Sequence, residues 1–242
     1  MTSSTVRLYL STSYPCNYLP YRTARSQILT NPSPVTNDLY YALIHHGFRR
    51  SGDIVYRPYC GSCNLCIPIR VPVQFFNASR SQRRALKQHS MLTTEWIRPT
   101  DSLEIATLYE QYQKTRHFSG ENANFQEQLS QFLIISPVDT WMILFRLEGK
   151  LKVVSVVDKL CDGLSAVYTF FAPDDTGSAY GTYAVLWQIE YCKQQNHPYL
   201  YLGYWIPGSP KMDYKRNFRP FEILYQDKWN SLENITLSSN NI

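Results

Sequence analysis

Four cysteines in the first seventy residues have a spacing that could hold a metal. Cys60, Cys63 and Cys66 form a C-x-x-C-x-x-C pattern, and Cys16 lies forty-four residues before it. Four thiolates in such a set can bind zinc or an iron–sulfur cluster. The second C-x-x-C pair typical of structural zinc sites is missing, so free thiols that line a loop are the alternative. We commit to no metal ligand and leave zinc or an iron–sulfur cluster open.

Basic side chains are concentrated in the first ninety residues, which hold 11 Lys or Arg against two acidic residues, a balance of +9. The remaining residues hold 13 basic and 17 acidic side chains, a balance of −4. Arg80, Arg83, Arg84 and Lys87 share one face of a predicted helix. Such a row indicates a phosphate backbone or another anion as partner, although an ordinary solvated face is the alternative for this helix alone. The planar guanidinium of arginine, with its paired N–H donors, also suits a pocket that binds an acidic side chain.

An aromatic segment, residues 201–208, ends a short predicted strand and runs into Lys211 and Lys215. Tyr204 and Trp205 at a sheet end could stack on unpaired bases, whereas an aromatic plug that closes a core is the alternative.

Two residues are candidates for a general base. His117 follows a helix end, and Asp158 lies near the end of an apolar strand, where a carboxylate is unusual. Capping or structural roles are the alternative for both. The sequence contains no G-x-S-x-G, H-E-x-x-H or P-loop motif, so a hydrolase nucleophile or a phosphate-cradling loop has no support.

The predicted elements indicate an α+β fold. Helices are predicted at 36–47, with Asn37 as its cap, and at 79–89, 102–114, 124–135 and 179–194. Strands are predicted at 54–57, 67–73, 93–98, 141–147, 151–160, 164–171, 199–202 and 222–229. Pro58, Pro68 and Pro72 suggest that the first two of these are edge strands or loops. From residue 140 onward, three antiparallel strands, a helix and a further strand resemble the GNAT acyltransferase core.

The loop before the main GNAT helix carries information about the acyl donor. Enzymes that use acetyl-CoA usually have an Arg/Gln-x-x-Gly-x-Gly/Ala loop there. Residues 174–181 lack the basic or amide start and the paired glycines. We therefore expect an acyl donor other than coenzyme A.

We expect a basic region at 1–98 with the cysteine motif and basic helix, a GNAT-like core at 99–230, and a tail at 231–242. No stretch approaches the roughly 20 apolar residues of a membrane helix, and residues 1–10 do not resemble a secretion signal. We expect no membrane association and a cytoplasmic location.

Six motifs over residues 14–229 together resemble arginyl-tRNA–protein transferases, and the compact size resembles their bacterial aspartate/glutamate leucyltransferase branch. The motifs are Tyr18-Leu19-Pro20 with Arg22 and Arg25, Gly47-Phe48-Arg49-Arg50-Ser51-Gly52, Tyr56-Arg57-Pro58-x-Cys60-x-x-Cys63-x-x-Cys66, Ser79-Arg80-Ser81-Gln82-Arg83-Arg84, Tyr168-x-Phe170-Phe171, and Tyr201-Leu202-Gly203-Tyr204-Trp205-Ile206 followed by Lys211-Met212-x-Tyr214-Lys215.

The resemblance implies two fused GNAT-like units with mainly antiparallel sheets, an aminoacyl-tRNA donor and no required cofactor. It implies leucine transfer to proteins with N-terminal Asp or Glu, which tags them for degradation by the N-end rule. Arginine transfer to the same acceptors is the nearest alternative. A non-catalytic RNA-binding module stabilised by metal is the alternative from another class, and a coenzyme A acetyltransferase ranks below it.

We assign the predicted roles on that basis. The acceptor carboxylate is expected at Arg22, Arg25, Arg57 or Arg80, and the tRNA phosphates at Arg83, Arg84 and Lys87. The tRNA 3′ end is expected near Tyr168, Tyr204, Trp205, Lys211 and Lys215. His117 and Asp158 are the expected catalytic bases.

Overall fold

The computed structural model describes residues 6–30, 34–116, 124–173 and 179–231. The helices are Asn37–Ile44 (α1), Arg80–Gln88 (α2), Leu103–Arg116 (α3), Phe125–Leu129 (α4) and Tyr180–Gln194 (α5). The strands are Leu8–Leu10 (β1), Tyr14–Pro15 (β2), Thr23–Ala24 (β3), Ser26–Leu29 (β4), Arg49–Ser51 (β5), Ile54–Pro58 (β6), Ile67–Pro72 (β7), Thr93–Ile97 (β8), Thr140–Leu147 (β9), Lys150–Leu160 (β10), Gly163–Phe171 (β11), Tyr199–Trp205 (β12), Glu222–Tyr225 (β13) and Lys228–Ser231 (β14).

The main sheet has eight strands in the order β14-β13-β7-β12-β11-β10-β9-β8. Its neighbours pair antiparallel except β11 and β12, which are parallel and joined through α5. This confirms the α+β class with mainly antiparallel sheets and the GNAT-like order from β9 to β12. The further prediction of two fused units stays a prediction.

Strand β7 lies inside the main sheet, between β13 and β12, and β6, which ends at Pro58, lies between β4 and β5 in a smaller sheet, so the prediction of edge strands or loops was wrong for both segments. Pro68 and Pro72 pair only with β12, because β13 contacts β7 at Ile69 and Arg70 alone. Each proline therefore has one open side, where its missing N–H breaks no ladder hydrogen bond.

The smaller sheets come from the first sixty residues. One has the order β1-β4-β6-β5, and β2 pairs with β3 in a short hairpin. Strands β7 and β8 also precede residue 98, yet they belong to the main sheet. The predicted boundary at residue 98 therefore does not separate one sheet from another, and the domain division stays a prediction.

Alternating side chains of the central strands fill two cores on opposite faces of the main sheet. Ile143 and Phe145 pack with α2 and α5, whereas Met142 and Leu144 pack with α3 and α4. A third core, which includes Tyr40, lies between α1 and the ends of β10 and β12.

The capping residues of α1 and α2 are those that the local sequence predicts, with one exception. Thr36 caps α1 by accepting from the Leu39 N–H, so Asn37 is the first helical residue and not the cap. Gly47, which follows α1, has φ +80, the left-handed backbone conformation that the sequence predicted for this position. Ser79 caps α2 in a reciprocal capping box with Gln82.

The predicted helix 124–135 is α4 followed by a π-helical turn, Ser130–Ile134. The predicted last strand is the hairpin β13–β14, which turns through Gln226 and Asp227 at positive φ. Among the described residues, none of the helices has the length and apolar content that a bilayer crossing requires.

Candidate functional site

A pocket of about 90 Å³ lies where the β2–β3 hairpin meets the ends of β6 and β12 and the cysteine loop after β6. Its lining is mostly aromatic, thiol and small polar side chains, with one cation and no Asp or Glu among the described residues. The lining residues are Tyr14, Cys16, Asn17, Tyr18, Leu19, Arg22, Thr23, Ala24, Ser26, Tyr56, Pro58, Cys60, Cys63, Cys66, Tyr204 and Ile206.

Backbone hydrogen bonds of the hairpin hold one wall of the pocket. The Cys16 N–H donates to the Arg22 carbonyl at 2.8 Å. Tyr14 and Ser26 join their hydroxyls at 2.7 Å. Burial raises the pKa of Tyr18 well above its usual value, so this phenol stays a neutral wall and donor.

The sequence prediction that Cys16 and the C-x-x-C-x-x-C loop belong together fits their placement, because all four thiols line this pocket. Burial, followed by the other three thiols, raises the pKa of Cys66 to about 12. Among the described residues, no three Cys, His, Asp or Glu side chains converge as metal ligands. The thiols as placed do not fit a metal, so we derive no step through one, and zinc or an iron–sulfur cluster stays an open prediction.

Two cations lie behind the pocket lining, next to Gly203 and Tyr204 of β12. The Arg49 Nη2 donates to the Ala166 carbonyl at 2.8 Å, and the Lys215 Nζ donates to the Tyr204 carbonyl at 2.9 Å. Both side chains are less than a tenth exposed. Burial, followed by the charge of Arg49, lowers the pKa of Lys215 to about 7. The Tyr204 ring, whose hydroxyl donates to the Gly47 carbonyl at 2.6 Å, connects these cations to the pocket.

Asp158 does not face the pocket. Its side chain is fully buried in an ion pair with Arg50, at 2.6 Å from Nη2 to Oδ1. The same Oδ1 accepts from the Thr140 hydroxyl at 2.6 Å, and Arg50 also donates to the Gly52 carbonyl at 3.1 Å. A carboxylate held in this way has no access to a substrate proton in this arrangement. His117, the other predicted base, lies outside the described residues.

A second, half-buried network, absent from the sequence-based site, links β12 to the end of α1. The Trp229 indole donates to His45 Nδ1 at 3.0 Å, and His45 Nε2 lies 3.3 Å from the Tyr201 hydroxyl. Tyr201 in turn donates to Asp162 at 2.8 Å. Burial lowers the pKa of His45, in agreement with a neutral ring that accepts from tryptophan. Only the unusual density of aromatic residues near these positions hinted at the network in the sequence.

The predicted tRNA-binding helix presents its cations to solvent. Arg80, Arg83, Arg84 and Lys87 are all exposed on α2. None of the four is ion-paired with a carboxylate of the described ranges. The Arg83 guanidinium donates one N–H group to the Ala78 carbonyl, so its other N–H groups can bind an anion.

The other predicted arginines are dispersed. Arg22 lines the pocket. Arg25 is half-buried and donates to the Ser11 carbonyl at 3.0 Å. Arg57 donates to Gln27 at 2.8 Å and lies over the Phe48 ring.

The residues predicted for the tRNA 3′ end are only partly brought together. Tyr204 lines the pocket and Lys215 lies behind it. Trp205 is buried and donates to Asp213 at 3.0 Å, and Lys211 is exposed. Tyr168 packs against Tyr109 and Tyr112 in the core on the α3 face. Residues 174–178 of the predicted donor loop lie outside the described residues.

Two family models and several relatives match this chain. The family model described as "Arginine-tRNA-protein transferase, N terminus" matches residues 14–84, and the one described as "Arginine-tRNA-protein transferase, C terminus" matches residues 104–225. An aspartate/glutamate leucyltransferase from Methylobacillus flagellatus is 48% identical over 93% of this chain and 91% of that protein. One from Nitrosospira multiformis is 43% identical over 98% and 94%. The crystal structure of FemX matches 85% of this chain and 81% of its own, with a TM-score of 0.46 at 8% identity.

Proposed function

The chain belongs to the arginine-tRNA-protein transferase family and is a transferase, and we propose that it moves leucine from leucyl-tRNA to the α-amino group of proteins that begin with Asp or Glu. The observation that carries the proposal is the identity to aspartate/glutamate leucyltransferases, 48% and 43%, over more than nine-tenths of both chains. We further propose a cytoplasmic location, where aminoacyl-tRNA is made and used, and a role in tagging proteins for degradation.

The composition of the pocket supports leucine over arginine as the transferred residue. An arginine side chain needs a carboxylate partner when it is buried, whereas leucine needs apolar walls. The pocket offers Leu19, Ile206 and aromatic faces, and its described lining contains no acidic residue. We therefore place the leucyl side chain in this pocket, with the ester carbonyl toward the end of β12.

The reaction needs few catalytic groups because the aminoacyl ester of tRNA is already activated. The acceptor nitrogen attacks the ester carbonyl, the nitrogen loses a proton, and the ribose hydroxyl leaves with one. An α-amine with a pKa of about 7.7–8.0 is mostly protonated at pH 7, but roughly a tenth or more of it is the free base that can attack, so placement contributes much of the rate. We propose no bound metal for this step. His117 stays the candidate base, and we propose that Asp158 positions Arg50.

The exposed cations of α2 supply the proposed contact to tRNA. Four positive charges on one face, without carboxylate partners in the described ranges, repel one another unless an anion lies against them. Phosphate contacts of this kind position an RNA and make its binding depend on salt.

A transfer assay tests the proposal. Purified protein is incubated with leucyl-tRNA or arginyl-tRNA and with peptides that begin with Asp, Glu, Lys or Arg. Leucine on the acidic N-termini alone supports the proposal. Arginine on the same peptides would reverse the donor assignment, and no transfer from either tRNA would favour the RNA-binding module.

A further inference from the structure

Among the described residues, Arg49 and Lys215 differ from the other buried cations in their lack of a counter-charge. Arg50 pairs with Asp158 at 2.6 Å, and Arg70 pairs with Glu222 at 2.7 Å. Neither Arg49 nor Lys215 lies within 4.0 Å of a carboxylate in the described ranges. Two buried like charges without an anion are unfavourable, so their retention calls for an external partner.

The two cations meet at a glycine, whose missing side chain leaves both donor groups uncovered on that side. Gly203 interrupts β12 at a register shift and has φ +78. A Cβ at this position would lie 3.5 Å from Arg49 Nε and 3.6 Å from Lys215 Nζ. Gly203 is half-buried, whereas both cations are less than a tenth exposed. Because glycine has no side chain, the position of one Cβ next to both donors is left unfilled, whereas any other residue would occupy it.

The burial of both donors favours a carboxylate on a short stem. A backbone phosphate carries a ribose on either side and suits exposed arginines such as those of α2. The carboxylate of Asp or Glu ends a stem of one or two methylenes and can enter where the donors are more than nine-tenths buried. The next residue along the strand, Tyr204, lines the pocket assigned to the leucyl group, and its carbonyl accepts from the Lys215 Nζ, so the cation pair and the pocket have this residue in common.

We propose that Arg49 and Lys215 bind the side-chain carboxylate of the acceptor's N-terminal Asp or Glu, and so determine which proteins are modified. The inference rests on the proposed transfer reaction. It replaces Arg25, Arg57 and Arg80 in the acceptor role, because those side chains are exposed or already hydrogen-bonded to neighbouring residues. Arg22, at the pocket wall, would contact a later part of the acceptor.

Selectivity follows from charge alone. An acceptor that begins with Asn or Gln has the shape of Asp or Glu but leaves two buried cations unpaired. A carboxylate between the cations also favours the charged form of Lys215, whose pKa burial lowers to about 7 in the free protein.

The test compares peptides that differ only in this charge. Transfer of leucine to peptides beginning with Asp, Asn, Glu or Gln is measured for the wild type, Lys215→Met and the control Lys150→Met, an exposed lysine at the start of β10. Methionine keeps the length of the side chain and removes its charge. We expect the Asp-to-Asn ratio of kcat/KM to fall roughly ten- to hundred-fold in Lys215→Met, mostly through loss with Asp. Lys150→Met should keep the wild-type ratio.

A binding measurement separates failure of this inference from failure of the proposed function. A peptide beginning with Asp, without tRNA, should raise the melting temperature of the wild type, and its Asn counterpart should not. The shift should vanish in Lys215→Met and in Arg49→Met. If wild type transfers nothing yet shows this shift, the transfer proposal fails while the anion site stands.

Two results would overturn the assignment. One is a folded Lys215→Met protein with the wild-type Asp-to-Asn ratio. The other is weaker tRNA binding in Lys215→Met with that ratio intact, which would make the cations a phosphate site. Should neither variant fold, acetylation of Lys215 in the wild type gives the answer, because the Asp peptide must slow it and the Asn peptide must not.

Discussion

Asp158→Asn should lower the free energy of unfolding by about 3–5 kcal/mol, because it leaves the Arg50 guanidinium buried without a counter-charge. Both side chains of the pair are 0% exposed, so water cannot screen the loss. The carboxylate accepts from Arg50 Nε at 2.8 Å and from Nη2 at 2.6 Å. It also accepts from the Thr140 hydroxyl, and an amide can replace only part of this set.

Urea unfolding measures the effect, with Asp139→Asn as the matched control. Asp139 pairs with Arg98 at 2.6 Å, but the Arg98 side chain is 64% exposed. Exposed pairs contribute about 0–1 kcal/mol, so the control should lose little stability. The double variant Arg50→Met/Asp158→Leu removes both charges and should be more stable than Asp158→Asn, because no lone charge is left buried.

The same variant decides between a structural and a catalytic carboxylate. Below its melting temperature, folded Asp158→Asn should keep kcat for leucyl transfer within about tenfold of wild type, since the side chain does not reach the pocket. A loss of kcat of more than about a hundredfold with stability unchanged would refute this reasoning and identify Asp158 as the base.

Three further predictions follow from single features. Gly52→Ala should destabilise the protein by more than about 1 kcal/mol in urea unfolding, because the new Cβ would lie 2.0 Å from the Gln131 carbonyl oxygen at φ +62, and an unchanged midpoint would contradict this contact. Between pH 7 and 8.5, Lys215 is fully protonated in the unfolded chain but only partly protonated in the native protein. The free energy of unfolding should therefore rise with pH in this range. Melting curves of Lys215→Met should lack this part of the rise. Arg83→Glu/Arg84→Glu should weaken tRNA binding and flatten its salt dependence in filter binding, whereas Lys150→Glu/Lys228→Glu, with the same change in net charge, should not.

Local patterns predicted the helices and the long strands because their signals lie within a few residues. Ser79 and Gln82 form a capping box that is recognisable in a four-residue stretch, and β9 to β11 are eight to eleven residues long and rich in apolar, β-branched and aromatic residues. Strands β1 and β4 were missed because they are short and mostly exposed or half-buried, with little apolar periodicity. The interior position of β7 depends on which neighbour covers its prolines, and no local signal carries that.

The candidate site was predictable in composition but not in arrangement. The sequence identified the cysteine loop, Tyr204 and Lys215 as unusual, and the structure places all of them at or behind one pocket. It could not show that Lys215 is buried, because burial depends on how the segment after β12 folds back against that strand.

Arg49 and Arg50 show why counting charges cannot assign roles. Both belong to the basic first half, and they are neighbours in one motif. On β5 their side chains point to opposite faces, because successive residues of a strand alternate. Arg50 therefore meets Asp158 and stabilises the fold, whereas Arg49 meets Lys215 and Gly203 and has no carboxylate partner among the described residues. The +9 balance of the first ninety residues thus combines a structural charge and a candidate binding charge at adjacent positions. The two roles are distinguished only by the group that each side chain contacts, and for Arg49 we propose that this group belongs to the substrate.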